Sequence, residues 1–459
     1  MAGIGFTLRQ LTRRDDISGI LQAYAHASVT TSGPWLATVL ALGSISLAAQ
    51  TFEASASLET FRLIIIYNFA LSLILAGPLM LVGTRQIADF IFQGSLQDCA
   101  SVFLCLVATV VLIGLPIAVG LHAGYADFPP AVTVAACINF LLISGIWAVS
   151  VFLSTLKAYN RVTLAFVLGF VVGSGGAIAL ANGYGTAGLL LGFNSGLTIT
   201  LFMLVGQVYA EYAPGRPRAG PFFAGFRKYW LLAMSGFIYN LALWIDKILM
   251  WLLAPENSFH ASGLVVYPAY DSAMFMAFLT VVPGLSLFIV IVETTFFEDY
   301  HRFYRELLNH ATLDRIRDNQ QRITQTLMAG LRNLIIIQGA ITVFFLLGAA
   351  AVYEFFGIDF THLTIFRFGV IASFMQTLLM FMLVVLAYFD LRRTALGIQF
   401  FFLMANAAFT FVTIELGYAY YGLGILFAAG LSFLGAYIFL VRFTAQLPYE
   451  AFVRDNDSV

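Results

Sequence analysis

The chain has 459 residues, 60% of them hydrophobic and only 10% charged, and its formal net charge is −1. A water-soluble domain carries about 25% charged residues, so a soluble globular protein is excluded, and the near-neutral balance excludes a general basic footprint for nucleic acid. At roughly 20 residues per membrane-crossing helix, the chain has room for about a dozen spans.

The first 26 residues place Ile4, Phe6, Leu8, Leu11, Ile17, Ile20 and Leu21 among Arg9, Arg13, Arg14, Asp15 and Asp16. There is no continuous apolar core of the kind a cleavable signal needs, and the spacing fits an amphipathic segment lying on the membrane surface. Span one is expected at 27–50, with a bend at Gly33-Pro34, because proline removes a backbone donor and kinks a helix. Span two (61–82) carries Tyr67, Asn68 and a further Gly77-Pro78, and a polar stretch, 84–98, follows. Spans three, four and five are expected at 99–121, 130–153 and 162–181, and span six ends near Tyr209. Residues 211–228, with Pro214, Pro217, Pro221 and four basic side chains, read as a polar link between two halves. Spans seven and eight are expected at 229–253 and 264–296, then a charged insert, 298–332, expected to form helices on the cytoplasmic surface. Spans nine to twelve are expected at 333–353, 362–388, 394–416 and 420–443, with a polar tail at 444–459.

Cytoplasmic loops of a membrane protein concentrate Lys and Arg. With the amino terminus placed in the cytoplasm, all 23 basic residues except Arg62, Lys247 and Arg367 fall in cytoplasmic segments, and the expected outer loops hold none. Both termini are therefore expected on the cytoplasmic side. The two halves, 27–210 and 229–443, also repeat. At one constant offset, Gly183, Tyr184, Gly188 and Gly196 fall on Gly417, Tyr418, Gly422 and Gly430, and Leu189, Phe193 and Leu197 fall on Leu423, Phe427 and Leu431. Ser32-Gly33 in span one matches Ser235-Gly236 in span seven, and the tight loop 156–161 matches 389–393. Six spans per half make the repeats parallel, one of the known transporter plans. Gly183, Gly188, Gly417 and Gly422 then read as hinges on the outer side between the last two spans of each half, with glycine allowing close helix packing. The expected fold is an all-α polytopic membrane protein of about 12 spans, in two parallel six-helix repeats forming two lobes around a central cleft.

An ionisable side chain inside a span costs roughly 2.5–3.5 kcal/mol on insertion scales, so it normally faces a partner or a wet cavity. Span seven carries adjacent Asp246 and Lys247. Neighbours on a helix point about 100° apart, so the two are not expected simply to neutralise each other, and neither has an ionisable residue four positions away. A buried cluster of Asp246, Lys247, Asp271 and Arg367 is expected, either as a transport contact or as a structural ion-pair network. Glu293, near the inner end of span eight, reads first as an interfacial carboxylate, and Arg62 as interfacial on the outer side. Tyr67, Tyr239, Tyr267 and Tyr270 stand near polar neighbours, and a tyrosine ring can stack on a sugar while its hydroxyl bonds, although packing explains any single one as well. Cys99, Cys105 and Cys137 lie in or beside apolar runs without a CxxC pair and read as buried thiols. No GxxxxGK[ST], HExxH or GxSxG occurs, so no enzyme, cofactor or metal is expected.

The opening MAGIGFTLRQLTRRDD, with Ser32-Gly33-Pro34-Trp35 entering span one, resembles the PelG family, inner-membrane components of the Pel exopolysaccharide machinery. The resemblance extends over essentially the whole chain and places it in the multidrug/oligosaccharidyl-lipid/polysaccharide superfamily. It implies two six-helix lobes around a cleft, with spans one and seven prominent, and a bacterial inner-membrane location. It also implies a galactosamine-rich polymer as cargo moving from cytoplasm to periplasm. The implied partners are a PelF-like cytoplasmic glycosyltransferase, a PelD-like membrane receptor for cyclic di-GMP and a PelE-like membrane subunit. No residue-by-residue motif transfers with it. A lipid-linked oligosaccharide flippase, a cation-coupled drug antiporter and a non-conducting scaffold for the synthase remain the competing functions.

Overall fold

The computed structural model describes residues 41, 43–45, 48, 55–153, 159–212, 218–356 and 360–450. The expected amphipathic segment at 1–26, most of span one with Gly33 and Pro34, and the last residues of the tail lie outside these.

Among the described residues, ten helices are long and apolar enough to cross a membrane. They are Ser55–Phe92 (α1), Leu96–Val119 (α2), Pro130–Leu153 (α3), Tyr159–Glu211 (α4) and Trp230–Leu253 (α6). Then come span eight, Leu313–Leu347 (α10), Leu363–Tyr388 (α12), Arg392–Leu416 (α13) and Leu423–Ala445 (α14). A short helix, Ala219–Lys228 (α5), precedes α6, and another, Ala349–Phe356 (α11), follows α10. Helix α4 is two spans joined at Gly185, whose φ of 53° and ψ of −133° leave helical space. Only glycine enters that region without strain, so the reversal between spans five and six is made there, between Gly183 and Gly188. The matching turn of the second half uses Gly417 (φ 95°) and Gly422 (φ 94°), one on each side of the short 3₁₀ turn Tyr418–Tyr420.

Span eight departs from the expected single helix. Leu264–Tyr267 do not belong to it: Val265–Val266 pair antiparallel with Ser258–Phe259 as a small hairpin. The helix starts at Pro268 as Pro268–Leu279 (α7), where proline at the first position removes a donor that would have no partner. It breaks at Thr280-Val281, resumes as Val282–Ile291 (α8) and passes through a π turn, Val292–Phe296, into Phe297–Leu308 (α9). The charged insert is helical, as expected. Helix α10 carries one buried stripe, Ile316, Asn319, Ile323, Leu327, Leu331, Leu334 and Gln338, at the 3–4-residue spacing of a helix face. Its outer face changes character along that stripe: Arg315, Arg317 and Arg322 are exposed before Arg332, and Ile335, Ile336, Val343 and Phe344 after it. Exposed charged side chains thus give way to exposed apolar ones near Arg332.

The chain divides into two compact units. The described residues of Ser32–Trp244 with Pro255–Tyr267 make the first, and those of Ile245–Ala254 with Pro268–Val459 the second. In the first, α3 packs against α1, α2 and α4 around two apolar clusters. One holds Phe103, Phe152 and Phe222, the other Phe61 and Phe193, with Phe61 edge-on to Phe193 at 5.8 Å. α5 is tied to the end of α1, where Gln86 Nε2 donates to the Phe222 carbonyl at 2.8 Å and the Tyr229 hydroxyl donates to Asp89. α6 meets α1 at backbone distance: a Cβ on Gly236 would overlap the Gly77 carbonyl group. In the second unit, α12 lies at the centre against α7, α10 and α14, with Phe366 and Phe381 buried. Cys99 and Cys105 are buried and Cys137 half-buried, all three as free thiols.

Candidate functional site

The charged residues of span seven gather with the start of span eight, within the second unit. Asp246 lies on the face of α6 that also carries Ala242 and Met250, and all three are fully buried. Its carboxylate accepts two bonds from Lys247 Nζ, at 3.0 and 3.1 Å, and one at 2.8 Å from the Tyr270 hydroxyl on α7. The expectation that neighbouring charges on a helix would not neutralise each other fails here. The backbone separates Asp246 and Lys247 by about 100°, but four methylenes let the ammonium fold back over the carboxylate. The Lys247 side chain is 13% exposed and lies 5.2 Å from the centre of the Phe278 ring, an arrangement that favours a cation over an aromatic face. The pair is therefore roofed by an aromatic of α7 and held from below by a tyrosine of the same helix.

Asp271 sits one residue after Tyr270, in the first turn of α7, where the positive end of a helix favours a carboxylate. It is half-buried, and both its oxygens lie within 3.0 Å of Trp251 Nε1, which donates to them. Trp251 stands four positions after Lys247 and so shares its side of α6. Asp246 and Asp271 thus have opposite settings, although by sequence both stand alike as carboxylates inside a span. Asp246 is enclosed and its oxygens are occupied by a cation and a hydroxyl, whereas Asp271 retains contact with the surroundings.

Arg367 does not join them. It is exposed on α12, and among the described residues it forms no ion pair or hydrogen bond with Asp246, Lys247 or Asp271. The expected four-residue buried cluster is corrected to the Asp246–Lys247–Tyr270 triad with an adjoining Asp271–Trp251 pair. Glu293 is 5% exposed inside the π turn of span eight and accepts a 2.9 Å bond from the Tyr388 hydroxyl at the end of α12. Tyr67 donates to the Val265 carbonyl at 2.7 Å and thereby anchors the hairpin in the first unit. Tyr239 is half-buried on α6, and Tyr267 is buried. Tyr270 and Trp251 are the partners that helix spacing on α6 alone could not supply, because each contact crosses between α6 and α7. One small apolar cavity in the first unit, lined by Phe69, Trp147, Phe170, Phe193 and Leu197, contains none of the expected site residues.

The family model of PelG, the exopolysaccharide exporter (EPS-E), matches residues 1–452. No curated protein matches the chain. Among solved structures, an outward-facing multidrug resistance MATE transporter of the MOP superfamily aligns with a TM-score of 0.61 at 15% identity, covering 96% of this chain and 99% of that one. An inward-facing MATE transporter aligns with the same score and identity over 92% of this chain and 99% of that one. A MOP superfamily transporter from Pyrococcus furiosus, described as having a binding pocket of reverse polarity, aligns at 0.60 and 15% identity over 96% and 98%. At these identities the likeness establishes the fold, that of an all-α polytopic membrane transporter.

Proposed function

Because this chain belongs to the PelG family of exopolysaccharide exporters, a multi-pass membrane protein that moves polysaccharide, we propose that its cargo is the galactosamine-rich Pel-type polymer. In this reading the polymer passes from cytoplasm to periplasm across the bacterial inner membrane, with both termini of the chain cytoplasmic. The exporter works in a complex with a PelF-like glycosyltransferase, a PelD-like cyclic di-GMP receptor and a PelE-like membrane subunit, and so supports a biofilm matrix. The observation that carries the reading is the family match over residues 1–452. The acid at Asp271 adds chemical support, since amino sugars that are not acetylated carry positive charge, and a half-buried carboxylate held by Trp251 Nε1 offers them a counter-charge. Asp271 is the proposed cargo contact, with Asp246 and Lys247 holding the helix pair that presents it, and with Tyr239, Tyr67, Glu293 and Arg367 supporting the lobes around the path. Gly33, Pro34 and Gly236 are proposed as flexing points of spans one and seven.

The deciding experiment follows labelled glycan into inside-out vesicles that contain this protein and the synthase. Uptake that needs both proteins supports export, and polymer that stays outside overturns it. Deletion in cells separates the drug-antiporter alternative: secreted polymer is expected to vanish while drug sensitivity stays unchanged.

A further inference from the structure

The first unit contains a buried polar chain that the Asp246 site does not use. Asn194 Nδ2 donates to the Ala135 carbonyl at 2.8 Å, and Asn139 Nδ2 donates to Asn194 Oδ1 at 2.8 Å. Asn68 Nδ2 donates to Asn139 Oδ1 at 2.9 Å and to the Ala136 carbonyl at 3.0 Å. His122 Nε2 then lies 2.8 Å from Asn68 Oδ1. The four side chains come from α1, α3, α4 and the π turn Gly120–Tyr125 that ends span three, and none is more than 4% exposed.

The backbone carbonyls set the direction of this chain. A carbonyl only accepts, so the amide nitrogens of Asn194 and Asn68 must face Ala135 and Ala136. Each asparagine oxygen then points back along the chain, and Asn68 presents Oδ1 to the imidazole. Nε2 must carry the hydrogen of that bond, which leaves a lone pair on Nδ1. Nδ1 is fully buried and has no hydrogen-bond partner among the described residues. A buried acceptor without a donor is destabilising by about 1–3 kcal/mol, a cost with no structural return in an otherwise satisfied network. Adding a proton at Nδ1 breaks no bond in the chain, because Nε2–H donates to Asn68 in either state. The ring sits inside a six-residue π turn, a distortion that recurs at functional sites.

The titratable groups near the turn are Glu59, Arg62 and Tyr67 on α1, Tyr125 at the end of the turn itself, Asp127 just after it, Cys137 on α3 and His260 on the hairpin, with Arg85 and Asp89 at the far end of α1. Asp98, Cys99 and Cys105 stand toward the other end of α2. Glu59 and Arg62 are exposed, Tyr67 donates to Val265, and His260 bonds Thr60 and Ser262. None pairs with His122 among the described residues.

We propose that His122 Nδ1 is a proton-binding site of the first unit and couples polymer movement to a proton gradient, the proton entering from the outer side as cargo leaves. The coupling rests on the export reading, but proton binding at His122 does not. Histidine nitrogen NMR on the wild-type protein in bilayers tests the binding, with His122→Gln identifying which of the six histidines is His122. The expected resonance is the Nε2–H tautomer near about pH 8, converting to the doubly protonated ring on acidification toward about pH 4. An Nδ1–H tautomer, or a ring that stays neutral throughout, overturns the site. Inside-out vesicles holding exporter and synthase test the coupling, their interior standing for the periplasm. An acidic interior is expected to stimulate labelled-glycan uptake several-fold in the wild type, with the stimulation lost in His122→Gln and in Asn68→Leu. Equal stimulation in His122→Gln, or none in a wild type that does take up glycan, overturns the coupling. A wild type that takes up no glycan overturns the export reading instead, and the NMR result still decides the proton site.

Discussion

Replacing Asp246 with Asn removes the buried carboxylate over which the Lys247 ammonium folds beside the Phe278 ring. Removing one partner of a buried pair destabilises by about 3–5 kcal/mol, whereas replacing both with apolar side chains of similar volume is often neutral. Asp246→Asn is therefore expected to lower the thermal midpoint of the purified protein markedly, and Asp246→Leu with Lys247→Met is expected to restore it. A double variant as unstable as the single one would show that the pair does more than neutralise itself. Asp271→Asn tests the other carboxylate. It should leave the midpoint nearly unchanged, because the amide oxygen still accepts from Trp251, and should reduce secreted polymer at normal protein levels. Normal secretion would remove Asp271 from the cargo path. The sequence located the ionisable residues of this site but not their pairing. Lys247 reaches Asp246 through side-chain flexibility that helix geometry does not report, and Tyr270 meets Asp246 only because α7 packs against α6. By sequence Arg367 groups with them because it too stands inside a span, and that says nothing about which way a side chain faces.

Glycine contacts at the level of whole helices were legible in part. Repetition of the glycine–tyrosine stretch located both turns, yet the residue that makes the first one is Gly185, whose counterpart by the repeat is Ala419. The two halves keep the reversal and differ in its backbone route, a difference that sequence offset cannot resolve. With φ at 53° and ψ at −133°, Gly185→Ala is expected to lower stability by about 1–3 kcal/mol, while Gly183→Ala, where an added Cβ meets nothing within 4 Å, should be mild. Thermal unfolding of the two variants in detergent makes the comparison, and equal midpoints would contradict the turn assignment. The broken span eight was not legible. Its composition is mostly apolar and reads as one run, although Pro283 in the first turn of α8 marks where a helix restarts after the break at Thr280-Val281; the hairpin before it and the π turn after it leave no mark in the periodicity.

The helices of the charged insert bring in the scale of the complex. Arg315, Arg317 and Asp318 project from α10 on the side opposite the stripe that buries Ile316 and Asn319. That stripe accounts for the fold of the helix without these charges, so reversing them leaves its packing intact. Surface ion pairs contribute about 0–1 kcal/mol at most, and the thermal midpoint of an Arg315→Glu, Arg317→Glu variant is expected to stay within a few degrees of the wild type. A role for this face must then appear in association. If the cytoplasmic synthase docks on it, the double reversal turns attraction into repulsion, weakening co-purification most at low salt, where surface charges are least screened. Retained co-purification at low salt would assign the face to solvent alone and leave recruitment to another part of the chain. The same residues also test membrane orientation. With both termini in the cytoplasm, a cysteine introduced at Arg315, in a variant lacking Cys99, Cys105 and Cys137, should react with a membrane-impermeant thiol reagent only when the cytoplasmic face is open to it. A cysteine at Tyr184, 69% exposed beside the Gly185 turn, should react from the opposite side. Labelling of both from one face would invert the charge-based topology and place the insert, with any docking function, outside the reach of a cytoplasmic synthase.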